Sequence, residues 1–509
     1  MTWKPETEEL RRRRKLAEQM GGADKVARQH ARGKLDARAR IKGLVDPGSF
    51  REIGKIAGKG RYDEEGNLLD LAPSNLIFGR ANIESRPVVA SADDFTVRGG
   101  AADAAIRRKF EQCEAMAHTL KIPLIRMIDG TGGGGSVKTL ETIGATYVPA
   151  VPGWGDVVRN LETVPVVALA LGPTAGLGAA RVVASHYSLM VKGLSQLFAA
   201  GPAVVEAIGE ASDKESLGGS EIHTRNGVVD DEVASEDEAF ARARRFLSYL
   251  PSHVGQPAAR TACADPADRR EAKLIGMVPR AAKQVYSMRK LLEMVFDQGT
   301  VFEMGKLWGR AAITAFARLD GWPVAVLASD PSFLGGSWDA RTSEKVERFI
   351  KLADQFRLPV VHLVDNPGFM IGREAEIAGT IRYGVQAMNA VYKATVPLCC
   401  VVIRRAYGIA GSAMSNAETF QYRFAWPSGD WGSLPIEGGI EVAYKSEIEA
   451  ADDPAAHLEG IRERLNRVRS PFRTAEIFGI EDIIDPRDTR PLLCEFAELA
   501  WRSLGQEAR

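Results

Sequence analysis

A chain of 509 residues exceeds the comfortable size of one hydrophobic core, so two or three domains are expected. Its 45% hydrophobic and 26% charged residues are ordinary globular composition, and 66 basic against 66 acidic residues give no electrostatic reason for a nucleic-acid or anionic-membrane partner. No uncharged apolar run of about 18 residues occurs, so no membrane-spanning helix is predicted.

The first residues, Met1-Thr2-Trp3-Lys4-Pro5-Glu6, turn acidic early and lack the apolar stretch of a secretory signal, and the expected location is cytoplasmic. Residues 6–45 are predicted helical and charged. Their basic run Arg11 to Lys15 reads as a solvated face or a partner contact. Residues 75–250 read as an α/β half closed by a helix ending at Leu250-Pro251. Residues 251–285 form a polar connection, and a second α/β half begins near 286. The expected domains are therefore 1–250 and 286–509 around that connecting segment. Short apolar runs such as Leu124–Ile128 and Val360–Val364 read as buried strands, with helices Ile106–Leu120 and Glu344–Phe356 between strands. That rhythm argues for parallel or mixed sheets with crossover helices. A last helix is predicted near 489–506.

The two halves repeat one pattern. A single constant offset relates Pro87 to Pro323, Gly99-Gly100 to Gly335-Gly336, Pro123 to Pro359, and the strand-ending Asp129 to Asp365. A slightly shorter offset relates Pro165 to Pro397 and Gly176 to Gly408. Duplication of this kind implies a site built from two similar halves.

Five cysteines, at 113, 263, 399, 400 and 494, form no CxxC and no metal spacing, which suits a reducing compartment and predicts no bound metal. The sequence holds no HExxH, no Walker A loop, no nucleophile elbow and no dinucleotide fingerprint. His362, inside an apolar run, reads as a core or interface histidine, not a base. What remains is backbone chemistry. The strand at 164–171 runs into Gly172-Pro173-Thr174-Ala175-Gly176-Leu177-Gly178 and a helix expected from Ala179. Its twin at 396–403 runs into Tyr407-Gly408-Ile409-Ala410-Gly411-Ser412. A glycine turn opening a helix either packs helix on strand or presents N–H donors to a developing oxyanion. A third loop carries Gly132, Gly133, Gly134 and Gly135 and reads as a cradle for a phosphate or pantetheine chain, or as a plain flexible loop.

Ala31-Arg32-Gly33-Lys34-Leu35-Asp36-Ala37-Arg38-Ala39-Arg40-Ile41, Asp94-Phe95-Thr96-Val97-Arg98-Gly99-Gly100, Leu217-Gly218-Gly219 with His223, Val364-Asp365-Asn366-Pro367-Gly368-Phe369 and Phe424-Ala425-Trp426-Pro427 carry a resemblance. By them the chain resembles, over nearly its whole length, the carboxyltransferase (β) subunits of biotin-dependent acyl-CoA carboxylases, most of all the propionyl-CoA carboxylase group. The resemblance implies a fold of tandem crotonase-like ββα-spiral domains. It implies a reaction in which carboxybiotin, delivered by a separate biotin carboxylase or biotin carboxyl carrier partner, releases CO2. The biotin enolate then takes the α-proton of an acyl-CoA, and the thioester enolate attacks CO2. It further implies a homo-oligomer, commonly with a hexameric core and with active sites formed across a dimer. The chain itself has no biotin-acceptor Ala-Met-Lys-Met and no ATP-grasp signature.

Carried over by position, the resemblance places the acyl-thioester oxyanion hole at Gly176 and Leu177 and the biotin-carbonyl hole at Ile409 and Ala410. Together with the glycine-run reading of Gly132 to Gly135, it makes Tyr407, Gly408, Gly411 and Ser412 the expected substrate-binding residues; the family reads Asp-Ser-Gly-Gly-Ala-Arg where this chain has Asp129-Gly130-Thr131-Gly132-Gly133-Gly134. The loops also depart from the propionyl pattern. Gly176-Leu177-Gly178 replaces Gly-Gly-Ala, and Ser412 stands where an acidic residue is usual. An acyl group larger or more polar than propionyl is therefore expected. The same residues leave a decarboxylase or transcarboxylase component, or an inactive assembly subunit, as alternatives.

Overall fold

Two compact units, Met1–Gln256 and Pro257–Arg509, make up the chain. The computed structural model describes residues 2–507 except 102–105, 131–139, 142, 143, 147, 149, 211, 282 and 419–421. The first unit contains strands β1 (Arg51–Glu52), β2 (Gly58–Tyr62), β3 (Leu68–Pro73), β4 (Leu76–Ile83), β5 (Arg86–Asp93), β6 (Leu124–Ile128), β7 (Val166–Ala170), β8 (Pro173–Ala175), β9 (Tyr187–Val191), β10 (Gln196–Phe198) and β11 (Asp231–Val233). The second contains β12 (Phe302–Met304), β13 (Ala312–Leu319), β14 (Trp322–Ser329), β15 (Val360–Asn366), β16 (Leu398–Tyr407), β17 (Tyr422–Ala425), β18 (Asp430–Gly432) and β19 (Asp482–Ile483).

The sequence repeat is a topological repeat. The described sheet of the first unit has the order β1-β4-β5-β6-β7-β9-β11, and that of the second has β12-β13-β14-β15-β16-β17-β19, with β18 on β16. In both, the first two pairings are antiparallel. The next four are parallel. A tight hairpin supplies each long antiparallel pair, and crossover helices supply the parallel ones. This is the tandem crotonase-like α/β arrangement that the resemblance implied.

The parallel strands lie under cover on both faces, so their sequences do not alternate: every residue of β6, β7 and β15 is buried. In the first unit the helix Arg107–Leu120 seals one cluster with Cys113, Met116 and Ala117 against Leu124 and Val166. In the second, Leu291, Leu292 and Val295 pack on Val324, Val326, Val361 and Leu363, with Phe496 and Ala500 of the final helix Thr489–Glu507. Each such large aliphatic or aromatic side chain contributes about 1.5–3 kcal/mol when removed from water. The predicted lead-in helix is three helices, Lys4–Glu18, Ala23–His30 and Ala37–Leu44. Gly22 at φ +96° breaks the first join, and Asp36 caps the third helix by accepting from the Arg38 and Ala39 N–H groups.

Candidate active site

In the first half, β7 leads through Leu171 and Gly172 into β8, which pairs in parallel with β10. The chain then turns at Gly176, held at φ +56° and ψ −120°, a conformation strained for any side-chain-bearing residue. The helix Leu177–Val183 follows, opening ahead of the expected start at Ala179. The Gly176 N–H donates to the Phe198 carbonyl at 3.1 Å. It is therefore committed to the β8–β10 join and is not a free donor, contrary to its expected place in an oxyanion hole. The N–H groups of Leu177 and Gly178 have no acceptor among the described residues, as the first turn of a helix dictates. Both residues line a cavity of about 230 Å³ together with Gly100, Gly130, Phe110 and Arg181. Arg181 holds both Asp93 oxygens, at 3.1 and 3.2 Å, and lies 5.1 Å over the Phe110 ring.

The second half repeats the arrangement. Gly408, the repeat partner of Gly176, has φ +60° and opens the helix Gly408–Ser412. The Ile409 and Ala410 N–H groups have no acceptor among the described residues. Leu177 and Gly178 are thus the positional twins of Ile409 and Ala410. The bare backbone at Gly411 is a packing requirement, since a side-chain carbon there would sit 2.6 Å from the Ala406 carbonyl carbon. Ser412 is exposed, donates its hydroxyl to the Ile409 carbonyl at 2.7 Å, and lines a cavity of about 220 Å³ with Gly408, Met414 and Trp431. Tyr407 is buried against a larger cavity, about 860 Å³, which Arg404, Arg405, Arg469 and Asp430 also line. Burial first, then the neighbouring Asp430 carboxylate, pushes the Tyr407 hydroxyl up, so it stays protonated and neutral. Burial works against ionisation of Asp430, yet the Arg469 guanidinium holds its carboxyl below the usual value. Gly132, Gly133, Gly134 and Gly135 lie outside the described residues.

Sequence reasoning missed the groups that anchor these loops. Asp129 and Asp365, each 0% exposed, end β6 and β15 inside ion clusters. The carbonyl of each abuts a positive-φ glycine, Gly100 and Gly336. The aspartates were visible in the repeat, but their partners come from unrelated places in the chain. His362 is buried in β15 and hydrogen-bonds the Met414 carbonyl at 3.1 Å. Burial depresses it from 6.5 to about 4, so it is neutral near pH 7 and is no catalytic base in either cavity. The unfolded chain takes up this proton below about pH 6.5 and the folded chain only near 4. Stability therefore falls as the pH falls through that window, by about 2 kcal/mol between pH 7 and 5 from this group. Urea unfolding at the two pH values checks it: His362→Gln should flatten the slope by that amount, and an unchanged slope would refute the assignment.

Two unpaired N–H donors side by side at a cavity wall suit an oxygen that gains negative charge, and such donors need no reorganisation as the charge forms. Among the described residues no group of His, Cys, Asp and Glu is placed to hold a metal ion. No described helix is long and apolar enough to cross a membrane.

Residues 28–507 match the carboxyl transferase domain family. The chain is 32% identical to a propionyl-CoA carboxylase carboxyltransferase subunit of Haloferax mediterranei, covering 96% of this chain and 95% of that one. It is also 32% identical to the methylmalonyl-CoA carboxyltransferase 12S subunit of Propionibacterium freudenreichii subsp. shermanii, over 98% and 94% of the two chains. A solved transcarboxylase 12S hexamer, with methylmalonyl-coenzyme A and methylmalonic acid bound, superposes with a TM-score of 0.87 at 30% identity, covering 98% of this chain and 95% of that one.

Proposed function

Because this chain belongs to the carboxyl transferase domain family and is an acyl-CoA carboxyltransferase, we propose that its two twin N–H pairs are the two oxyanion holes of that reaction. Leu177 and Gly178 would hold the acyl-thioester oxygen, and Ile409 and Ala410 the ureido oxygen of biotin. The observation that carries this reading is the recurrence, at equivalent positions of the two repeats, of a donor pair without acceptors among the described residues, each following a positive-φ glycine. Carboxybiotin, carried by a separate partner protein, supplies the carboxyl group and the acceptor for the substrate α-proton when bound. The chain contributes position and charge stabilisation. The Leu177 and Gly178 donors stabilise the thioester oxygen as the α-carbon gives up its proton. Phe110 and Leu177 give the cavity an apolar side beside these donors. The same donors serve carboxyl transfer in either direction, so a transcarboxylase or decarboxylase component differs in partners and not in this site.

The functional unit in this reading is a cytoplasmic homo-oligomer with sites formed across a dimer, served by a biotin carboxylase and carrier partner. Purified chain supplied with a biotinylated carrier, its carboxylase, ATP and bicarbonate should carboxylate an acyl-CoA, and the chain alone should not. Carboxylation by the chain alone would overturn the dependence on a partner. In a site formed across a dimer, the second-half loop of one subunit would face the acyl chain held by the first half of another, so Ser412 should tune the substrate: a carboxylate in its place takes volume and adds charge at the wall of the 220 Å³ cavity. Ser412→Asp should move the kcat/KM ranking toward short acyl-CoAs by about 1–3 kcal/mol per methylene-sized step. An unchanged ranking across an acyl-CoA series would exclude position 412 from specificity.

A further inference from the structure

We infer that Lys34 and Arg40, in the segment before the first α/β half, are positioning residues for the first-half oxyanion hole. They do there the work that Arg404 and Arg405 do for the second half. The inference rests on the assignment of the two holes proposed above.

The two halves bury the same aspartate and neutralise it by different routes. In the second half, Arg404 reaches Asp365 at 2.9 Å and Arg405 reaches it at 2.6 Å. Both arginines lie near the end of β16, just before Gly408. Arg405 also donates to the Gly335 carbonyl at 2.6 Å. One guanidinium thus ties together the end of β15, the turn after β14 and the strand that delivers the hole.

The offset that takes Gly408 back to Gly176 takes Arg404 and Arg405 back to Gly172 and Pro173, which have no charge to give. The first half fills that gap from outside the repeat. Lys34 Nζ lies 2.7 Å from Asp129 Oδ1, and Arg40 Nη1 lies 2.7 Å from Oδ2. Arg40 Nη2 donates to the Leu171 carbonyl at 2.9 Å, on the stretch that leads from β7 to the hole. The same guanidinium makes two bonds to Glu236, at 2.7 and 2.9 Å. Gly172 completes the substitution, because a side-chain carbon on it would overlap Asp129 Oδ1 and Lys34 Nζ. Glycine stands where the twin has arginine because the cation arrives through the space that its side chain would occupy.

The four groups, two cations and two carboxylates, form a neutral cluster in which no member is more than 7% exposed. Removing one leaves an uncompensated buried charge. Asp129 is followed by Gly130, and its carbonyl touches Gly100. Both glycines line the cavity that Leu177 and Gly178 line. A shift of Asp129 therefore moves two walls of the acyl cavity, while Leu171 moves the loop that sets the donors. A misplacement of about 1 Å costs on the order of 100-fold in rate.

The experiment compares Lys34→Met with Arg405→Met in the full oligomer, using KM and kcat for acyl-CoA and for the biotinylated carrier. Lys34→Met should raise the acyl-CoA KM and lower kcat, each by about tenfold or more, with the carrier KM unchanged. Arg405→Met should instead raise the carrier KM and lower kcat, with the acyl-CoA KM unchanged. The double variant Lys34→Met with Asp129→Asn, which removes both charges, should recover most of the loss. A merely structural role would move both KM values together in each variant, and that result, or no change in a folded oligomer, overturns the inference. If Lys34→Met yields no oligomer, Lys34→Arg decides. Its larger head should displace Asp129 and raise the acyl-CoA KM alone, and two unchanged KM values refute the role. Wild-type protein that transfers no carboxyl group with carrier and acyl-CoA present would instead refute the functional reading itself.

Discussion

Leu177→Pro should lower kcat by about 100- to 1,000-fold while leaving the fold and the oligomer intact, because one oxyanion donor is worth about 2.7–4 kcal/mol of barrier. Leu177 is the first residue of its helix, and the first helical position accepts proline well, since its N–H has no intrahelical acceptor. The substitution thus deletes one donor without costing a helical hydrogen bond. Leu177→Ala is the control: it removes the side chain, keeps the N–H, and should retain kcat within about tenfold. Steady-state kinetics with circular dichroism and sizing checks both. Near-normal turnover in a folded Leu177→Pro oligomer would sink the assignment of this hole. Gly176→Ala is a poorer test, because the Gly176 N–H already serves Phe198 and its φ of +56° adds backbone strain unrelated to chemistry.

Gly336→Ala should destabilise the protein by roughly 2–5 kcal/mol, a sum of about 1–2 for the left-handed backbone and about 1–3 for overpacking. The residue sits at φ +89°, and an added Cβ would overlap the Asp365 carbonyl. That carbonyl belongs to the buried end of β15, where Arg404 and Arg405 fix the aspartate side chain, so the clash has no flexible group to absorb it. Gly438→Ala on the exposed face of the helix Ile436–Ala443 is the contrast. Nothing lies within 4 Å of its added carbon, and it should stabilise by about 0.5–1 kcal/mol. Urea unfolding of the two variants side by side measures the difference. Equal midpoints would show that the turn after β14 moves freely, contrary to the packing of Gly336 on Asp365.

Much of this was legible in the chain itself. The constant offsets that pair Pro87 with Pro323 and Gly176 with Gly408 revealed the duplication, and the largely apolar runs at 124–128, 166–170 and 360–364 revealed the buried parallel strands, although Arg126 and His362 interrupt two of them. The strands follow from a local rule, since a strand covered on both faces is mostly apolar and does not alternate, and the exceptions Arg126 and His362 carry buried partners. The turns at Gly176 and Gly408 were equally legible, because a turn with φ above zero selects glycine wherever it occurs. The motif blocks were enough to recognise the family, and the absence of acid–base and nucleophile motifs directed attention to backbone chemistry.

The identity of the free donors was a different matter. Gly176 and Gly178 look alike in sequence, and only the closure of β8 on β10 spends the first N–H on Phe198 and leaves the second without an acceptor among the described residues. The partners of the strand-end aspartates were hidden for the same reason. Asp129 meets Lys34 and Arg40 from 95 and 89 residues away, while Asp365 meets Arg404 and Arg405 from 39 and 40. Sequence determines what is decided between neighbours along the chain, namely periodicity, turn conformation and repeat. Hydrogen-bond acceptors and buried counter-charges are assigned through space, where desolvation drives most buried groups, and every buried charge of these clusters, to a partner wherever the fold brings one.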